Sequence, residues 1–152
     1  MTEKGRMQVD FYNLADLPVD RVLPRICERL LEQGQRLLVV ADEEALLAKL
    51  DRQLWDYAPA SFLPHGRDGG DDDTRQPILL SATIVAANGA RNVALADGRW
   101  RDAALHFERA FYLFDAARID EARAKWRALS GKPDVVRKFW RQDEGGKWRE
   151  GP

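Results

Sequence analysis

Arg123 and Arg127 stand four residues apart, with Trp126 between them. On a helix, positions i and i+4 project from one side and i+3 adjoins it. One helix edge would then offer two guanidinium forks and an indole. Guanidinium forks grip carboxylates in pairs of hydrogen bonds, and an indole covers an apolar side chain. Such an edge suits a short acidic peptide carrying an aromatic residue or a terminal carboxylate. The same groups suit single-stranded nucleic acid, through stacking and phosphate contacts. Spacing alone also allows Trp126 in the core with its arginines in solvent. A second constellation joins Trp55 to Phe62, Leu63, Pro64 and His65. These residues either pack back on the core or form an apolar patch with a polar rim, the mark of a protein-binding surface.

Other chemistry has weaker support. Two histidines, His65 and His106, lie far apart with a single cysteine, too few ligands for a structural zinc site. Cys27 falls on the apolar stripe of a predicted helix and reads as a buried, inert thiol. The acidic run around Asp71, Asp72 and Asp73 lacks the spacing of a calcium loop ending in a bidentate Glu. Ser81, His65 and Asp97 make a triad only on paper, because nothing marks Ser81 as a nucleophile elbow. No Gly-x-Gly-x-x-Gly follows the first strand, and no Gly-rich loop leads to Lys-Ser/Thr, so neither phosphate cradle is present. No cofactor and no metal are expected.

The elements that would position these residues alternate. Residues 7–14 read as a strand through Val9, Phe11 and Tyr12. Asp20 is placed to cap a helix whose Leu23, Ile26, Cys27, Leu30 and Leu31 form one apolar stripe. Gly34 ends it. Leu37-Leu38-Val39-Val40 reads as a strand buried on both faces. Asp42 would cap a second helix over about 43–55, with Leu47, Leu50 and Leu54 on one side. Residues 56–76 are the loosest segment, rich in Pro, Gly and Asp. Short strands follow at 77–81 and 92–95, a helix at 103–110, and a strand at 111–114. Asp115 would cap a last helix carrying Ile119, Ala122, Trp126 and Leu129. Beyond Pro133 the chain reads as polar, with Phe139, Trp140 and Trp148 isolated. Strand–helix alternation predicts an α/β fold: one Rossmann-like, three-layer domain over residues 1–152. Its sheet is mostly parallel with helices on both faces, and it has no nucleotide site. Residues 1–6 and 143–152 are expected as loose ends.

Composition bounds the function. The 152 residues carry 45% apolar and 32% charged side chains, the range of a globular domain. No apolar run approaches the ~20 residues of a membrane helix, and the N-terminus lacks the apolar stretch of a signal peptide. With one cysteine, the expected compartment is the cytoplasm. The formal net charge is −1, against strong whole-molecule affinity for nucleic acid. The charge is uneven, however. Residues 117–149 hold ten Lys/Arg and five Asp/Glu, a basic region for an acidic partner.

Several blocks carry a likeness to a known family. They are Phe11-Tyr12-Asn13-Leu14, Gly34-Gln35-Arg36-Leu37-Leu38-Val39, and Leu50-Asp51-Arg52-Gln53-Leu54-Trp55. They continue through Ser61-Phe62-Leu63-Pro64-His65-Gly66, Pro77-Ile78-Leu79-Leu80, Phe114-Asp115 and Ala122-Arg123-Ala124-Lys125-Trp126-Arg127. The chain resembles, from Met7 to about Trp148, the chi subunit family of bacterial DNA polymerase III, accessory proteins of the clamp loader. The resemblance implies a non-enzymatic connector with a Rossmann-like fold. Such a connector binds the acidic, Phe-ended C-terminal tail of single-stranded DNA-binding protein. It therefore associates with single-stranded DNA indirectly. On the opposite side, it would bind the psi subunit or, in some members, a helicase. Carried onto this chain, the tail site falls on Arg123, Trp126 and Arg127, with Tyr112 and Phe114 walling an apolar pocket. The psi or helicase site falls on Trp55, Phe62, Pro64 and His65. An α/β enzyme of unknown substrate and a direct single-stranded DNA binder are the readings that remain beside it.

Overall fold

A computed structural model describes residues 6–57 and 63–151. It contains eight strands and three α-helices. The strands are β1 (Met7–Ala15), β2 (Leu37–Val40), β3 (His65–Arg67), β4 (Ile78–Ser81), β5 (Asn92–Leu95), β6 (Arg109–Asp115), β7 (Val135–Gln142) and β8 (Trp148–Glu150). The helices are α1 (Leu23–Glu32), α2 (Glu44–Asp56) and α3 (Ile119–Leu129). The strands form one sheet in the order β3-β4-β2-β5-β6-β1-β7-β8. Every pairing is parallel except β7 with β8.

Side-chain alternation sorts the core into two layers. Leu37 and Val39, Ile78 and Leu80, Phe111 and Leu113 face α1 and α2, where they meet Leu23, Ile26, Cys27, Leu47, Leu50 and Leu54. Their neighbours Leu38 and Val40, Leu79, Tyr112 and Phe114 face the other way, onto Ala122 and Leu129 of α3. Strands buried on both faces must be apolar throughout, which is why β2 reads Leu-Leu-Val-Val. The α/β fold with helices on both faces is therefore as expected.

Local differences from the sequence reading have physical causes. Asp20 caps no helix: it sits in a 3-10 turn, Val19–Arg21, and α1 begins at Leu23 with no side-chain cap and Pro24 in its first turn. Asp42 does not cap α2 either, because its carboxylate accepts a 2.7 Å hydrogen bond from Arg101 and Glu43 takes the N-cap position. The expected helix at 103–110 is one 3-10 turn, Asp102–His106. Arg109 and Ala110 are drawn instead into the ladder between β5 and β1. Asp115 does cap, accepting from the Ala117 N–H at 3.1 Å. The largest gain is at the C-terminal end. Val135–Gln142 lies along β1, and Trp148–Glu150 folds back on it, so Phe139, Trp140 and Trp148 are not isolated.

One charge is sealed beneath this sheet edge. Asp10, in the middle of β1, is fully buried. It accepts from Arg109 Nε at 2.7 Å, Gln8 Nε2 at 3.0 Å and Trp140 Nε1 at 3.1 Å. A buried carboxylate holds its place only when charge and hydrogen bonds compensate its lost hydration. Asp10→Ala strands the donors of Arg109 and Trp140 and is expected to cost about 2–4 kcal/mol in urea unfolding. Cys27 is fully buried, and burial pushes its thiol pKa well up. The native protein is expected to resist iodoacetamide at about pH 8 and to take up label only when unfolded.

Candidate peptide-docking face on α3

The side chains of α3 divide by whether their charges are already used. Arg118, just before the helix, pairs with Glu121 at 3.1 Å. Glu121 also accepts from the Trp100 N–H at 3.3 Å and the Tyr112 hydroxyl at 3.4 Å. Lys125 reaches Asp102 at 3.7 Å and lies 5.5 Å from the Trp100 ring centre. Arg123 and Arg127 are exposed, and neither makes a side-chain hydrogen bond or ion pair among the described residues. These two guanidinium groups are thus available to an outside anion.

Trp126 lies between them, half-buried. Its ring meets Phe11 and Phe139 edge-on, with centroids 5.3 and 5.4 Å away. The guanidinium of Arg137 lies 3.8 Å from the ring centre, and Arg137 donates to the Trp126 carbonyl at 2.6 Å. Arg137 is not among the sequence-predicted site residues, because its segment reads as a polar end. The alternation of β7 carries the signal: Arg137 and Phe139 are two apart, so both face α3.

Tyr112 and Phe114 are corrected. Both rings are fully buried beneath α3, where Tyr112 packs on Phe11, Trp100 and Phe114 with centroids 5.3–5.5 Å apart. They support the helix from below and wall no open pocket. Burial, with Glu121 adding to it, pushes the Tyr112 hydroxyl well above its ordinary pKa, so it stays neutral and donates.

The second constellation is partly assembled. Trp55 is 56% exposed on α2, its ring 4.7 Å from that of His65. Pro64 is half-buried, and Phe62 lies outside the described residues. His65 is corrected as a surface contact. Its side chain is fully buried, with Nδ1 2.7 Å from the Leu63 carbonyl and Nε2 2.9 Å from the Asp51 carboxylate. It supports Trp55 from within.

The enzyme alternative finds no assembled site in these positions. Ser81 donates to Asp68 at 2.8 Å, His65 is held by Asp51, and Asp97 is held by Arg101 at 2.9 Å. Among the described residues, no group of three or more His, Cys, Asp or Glu is arranged to hold a metal ion. A crevice of about 520 Å³ does open at the C-terminal ends of the strands, where α/β folds take nucleotides. Its lining includes Asp16, Glu43, Asp97 and Asp115 and no cation. Burial raises the Asp97 pKa, but hydrogen bonds from Arg101 and from the Asp42 and Arg99 amides outweigh it and hold the carboxyl below its ordinary value. An ionised, acidic crevice repels phosphate.

A family model described as DNA polymerase III chi subunit, HolC, matches residues 7–132. The chain belongs to that family. Membership makes it an accessory component of DNA polymerase III with a part in DNA replication. No curated protein matches the chain. The matched span includes α3 and the Trp55 constellation and ends before β7, whereas the resemblance in the sequence extends to about Trp148. Arg137, which holds Trp126, thus lies beyond the span that defines this chi-family match. No helix among the described residues is long and apolar enough to cross a membrane.

Arg137→Ala is expected to lower stability by about 1–2 kcal/mol in urea unfolding, through loss of the stacked cation and of the bond to the Trp126 carbonyl. Arg137→Lys should fall between, since it keeps the charge and loses the planar fork.

Proposed function

We propose that this chi-family chain is a non-enzymatic adapter. Its α3 edge binds the acidic, Phe-ended C-terminal tail of single-stranded DNA-binding protein. Its Trp55 face binds psi or a helicase, and so links the clamp loader to coated template. One observation carries the tail reading: Arg123 and Arg127 are exposed on either side of Trp126 and unpaired among the described residues, while the neighbouring cations Arg118 and Lys125 are engaged within the fold. The tail's carboxylates would pair with the two guanidinium groups, and its Phe ring would rest against the free part of the indole. Exposed charge pairs are screened within ~8–10 Å at ordinary ionic strength, so binding should be modest and weaken with salt.

The test is fluorescence anisotropy with a labelled acidic peptide ending in Phe. Arg123→Glu combined with Arg127→Glu is expected to weaken binding about 10-fold or more, and a peptide lacking the terminal Phe should also bind less tightly. Equal affinity of wild type and the double variant would remove the α3 site from the reading. Trp55→Asp should leave peptide affinity unchanged while abolishing capture of the second partner. Parallel loss of both would contradict two separate surfaces.

A further inference from the structure

On the other face of the sheet, a groove of about 580 Å³ runs between α1 and the β7–β8 hairpin. Arg21, Arg25, Arg29 and Lys147 line it, with Tyr12 and Trp148. No Asp or Glu is among its lining residues, the reverse of the acidic crevice at the strand ends. All four cations are exposed, and none makes a side-chain ion pair or hydrogen bond among the described residues. On the hairpin, the Asp143 carboxylate is occupied by Arg149 at 2.8 Å and by the Gly145 and Lys147 amides at 2.9 Å. We infer that this groove binds the backbone of single-stranded DNA directly, at a site separate from the α3 edge.

Spacing and surface chemistry carry the inference. Arg25 and Arg29 lie one turn apart on one side of α1, about 6 Å along its axis, and Arg21 precedes them from the 3-10 turn that leads into the helix; the step is on the order of the distance between successive phosphates in an extended strand. A polyanion with one fixed charge per unit matches such a ladder. An acidic peptide needs in addition an open apolar seat for its anchoring side chain. Here the apolar walls are already closed: Tyr12, Val22 and Ile26 are 9%, 6% and 8% exposed. Trp148 stands edge-on to Tyr12, centroids 5.2 Å apart, and remains half-buried. Its free part is a platform for one base, the second component of a single-strand site. Lys147 and Trp148 come from the hairpin beyond the span matched to the chi family, so this chain's own C-terminal strands complete the groove. The −1 net charge does not oppose this, because four acids gather in the strand-end crevice and none lines the groove.

The experiment uses the full chain and a fluorescein-labelled oligothymidylate of roughly 20 nucleotides, read by anisotropy. Wild type should bind saturably at about 50 mM salt, and four neutralised phosphates, at about 0.7 counterion released per phosphate of a single strand, predict about 50-fold weaker binding at about 200 mM. Arg25→Glu with Arg29→Glu should weaken binding about 10-fold or more, Arg25→Lys with Arg29→Lys should retain most of it, and Arg123→Glu with Arg127→Glu should stay within about 2-fold of wild type. Three results would overturn the inference: no saturable binding at low salt, an α1 variant that binds as wild type does, or an α3 variant that loses as much as the α1 variant. Tighter binding of an acidic peptide that the oligonucleotide cannot displace would assign the groove to a protein instead, and would also overturn it. Titrating the Phe-ended peptide onto the α1 variant keeps the two sites distinguishable, since loss at one should leave the other intact.

Discussion

The placement of β7 along β1 is the constraint on which both basic faces depend. Parallel pairing sets Phe139 beside Phe11 and Trp140 beside Tyr12. Because successive side chains point to opposite faces, this one register sends Arg137 and Phe139 beneath α3 and Trp140 toward α1. On the first side, Phe139 stacks with Phe11 at 5.9 Å, and both rings support Trp126. On the second, Trp140 donates to buried Asp10 and stacks over Tyr12 at 6.4 Å. A slip of one residue would put Arg137 against the α1 layer and Trp140 under α3, removing both supports together. Asp10 guards the register, since only one alignment brings the Trp140 indole N–H to its carboxylate. Its role is specificity as much as stability, because a buried ion seldom stabilises more than an apolar substitute would.

The α3 edge shows how a helix keeps part of its charge in reserve. Glu121 lies two positions before Arg123, so on a helix it faces another side and serves Arg118, Trp100 and Tyr112 instead. Asp120 is the acid next to it in sequence, and among the described residues it forms no ion pair with either arginine. Among the described residues, Arg123 and Arg127 therefore keep both forks without a partner. Arg137 approaches the same indole but is itself tied to the Trp126 carbonyl, so it holds the ring rather than competing for the anion. A ring already held by its neighbours has little side-chain entropy left to lose, which lowers the ordering cost of any contact made on its open part.

The fold was legible where one period dominated. The stripe at Leu23, Ile26, Cys27 and Leu30 and the run Leu37–Val40 each admit one reading, and the structure has both. Legibility failed where tertiary pairing overrode local pattern. Arg109 and Ala110 look helical in sequence, yet β5 and β1 flank them on both sides and their backbone groups complete two ladders. Residues 135–142 read as polar because Arg137, Lys138 and Arg141 interrupt the apolar positions. Near a sheet edge, such side chains can reach solvent or a ring while the backbone still pairs. The candidate site divides along the same line. Arg123, Trp126 and Arg127 share one helix, so spacing alone brought them together. Tyr112, Phe114 and His65 depend on depth in the fold, which spacing does not encode, and all three proved to be buried supports.

Charge segregation gives this small chain its functional shape. A near-neutral total conceals a carboxylate-lined crevice at the strand ends, an arginine-bearing helix on one face and a cation-lined groove on the other. In an α/β nucleotide-binding protein, the strand-end crevice must attract phosphate, and helix N-termini there supply partial positive charge. Here Asp97 and Asp115 occupy that position, and Arg101 is turned inward to hold Asp97 and Asp42 rather than outward to a ligand. The sheet is thus the scaffold of a nucleotide-binding fold with its usual ligand position reversed in sign. Exposed positive charge is turned instead toward the helical faces, where Trp126 and Trp148 each sit among cations. The exposed cations of α3 and those of the α1 groove lie on opposite faces of one sheet, so a ligand held on one face would leave the other open.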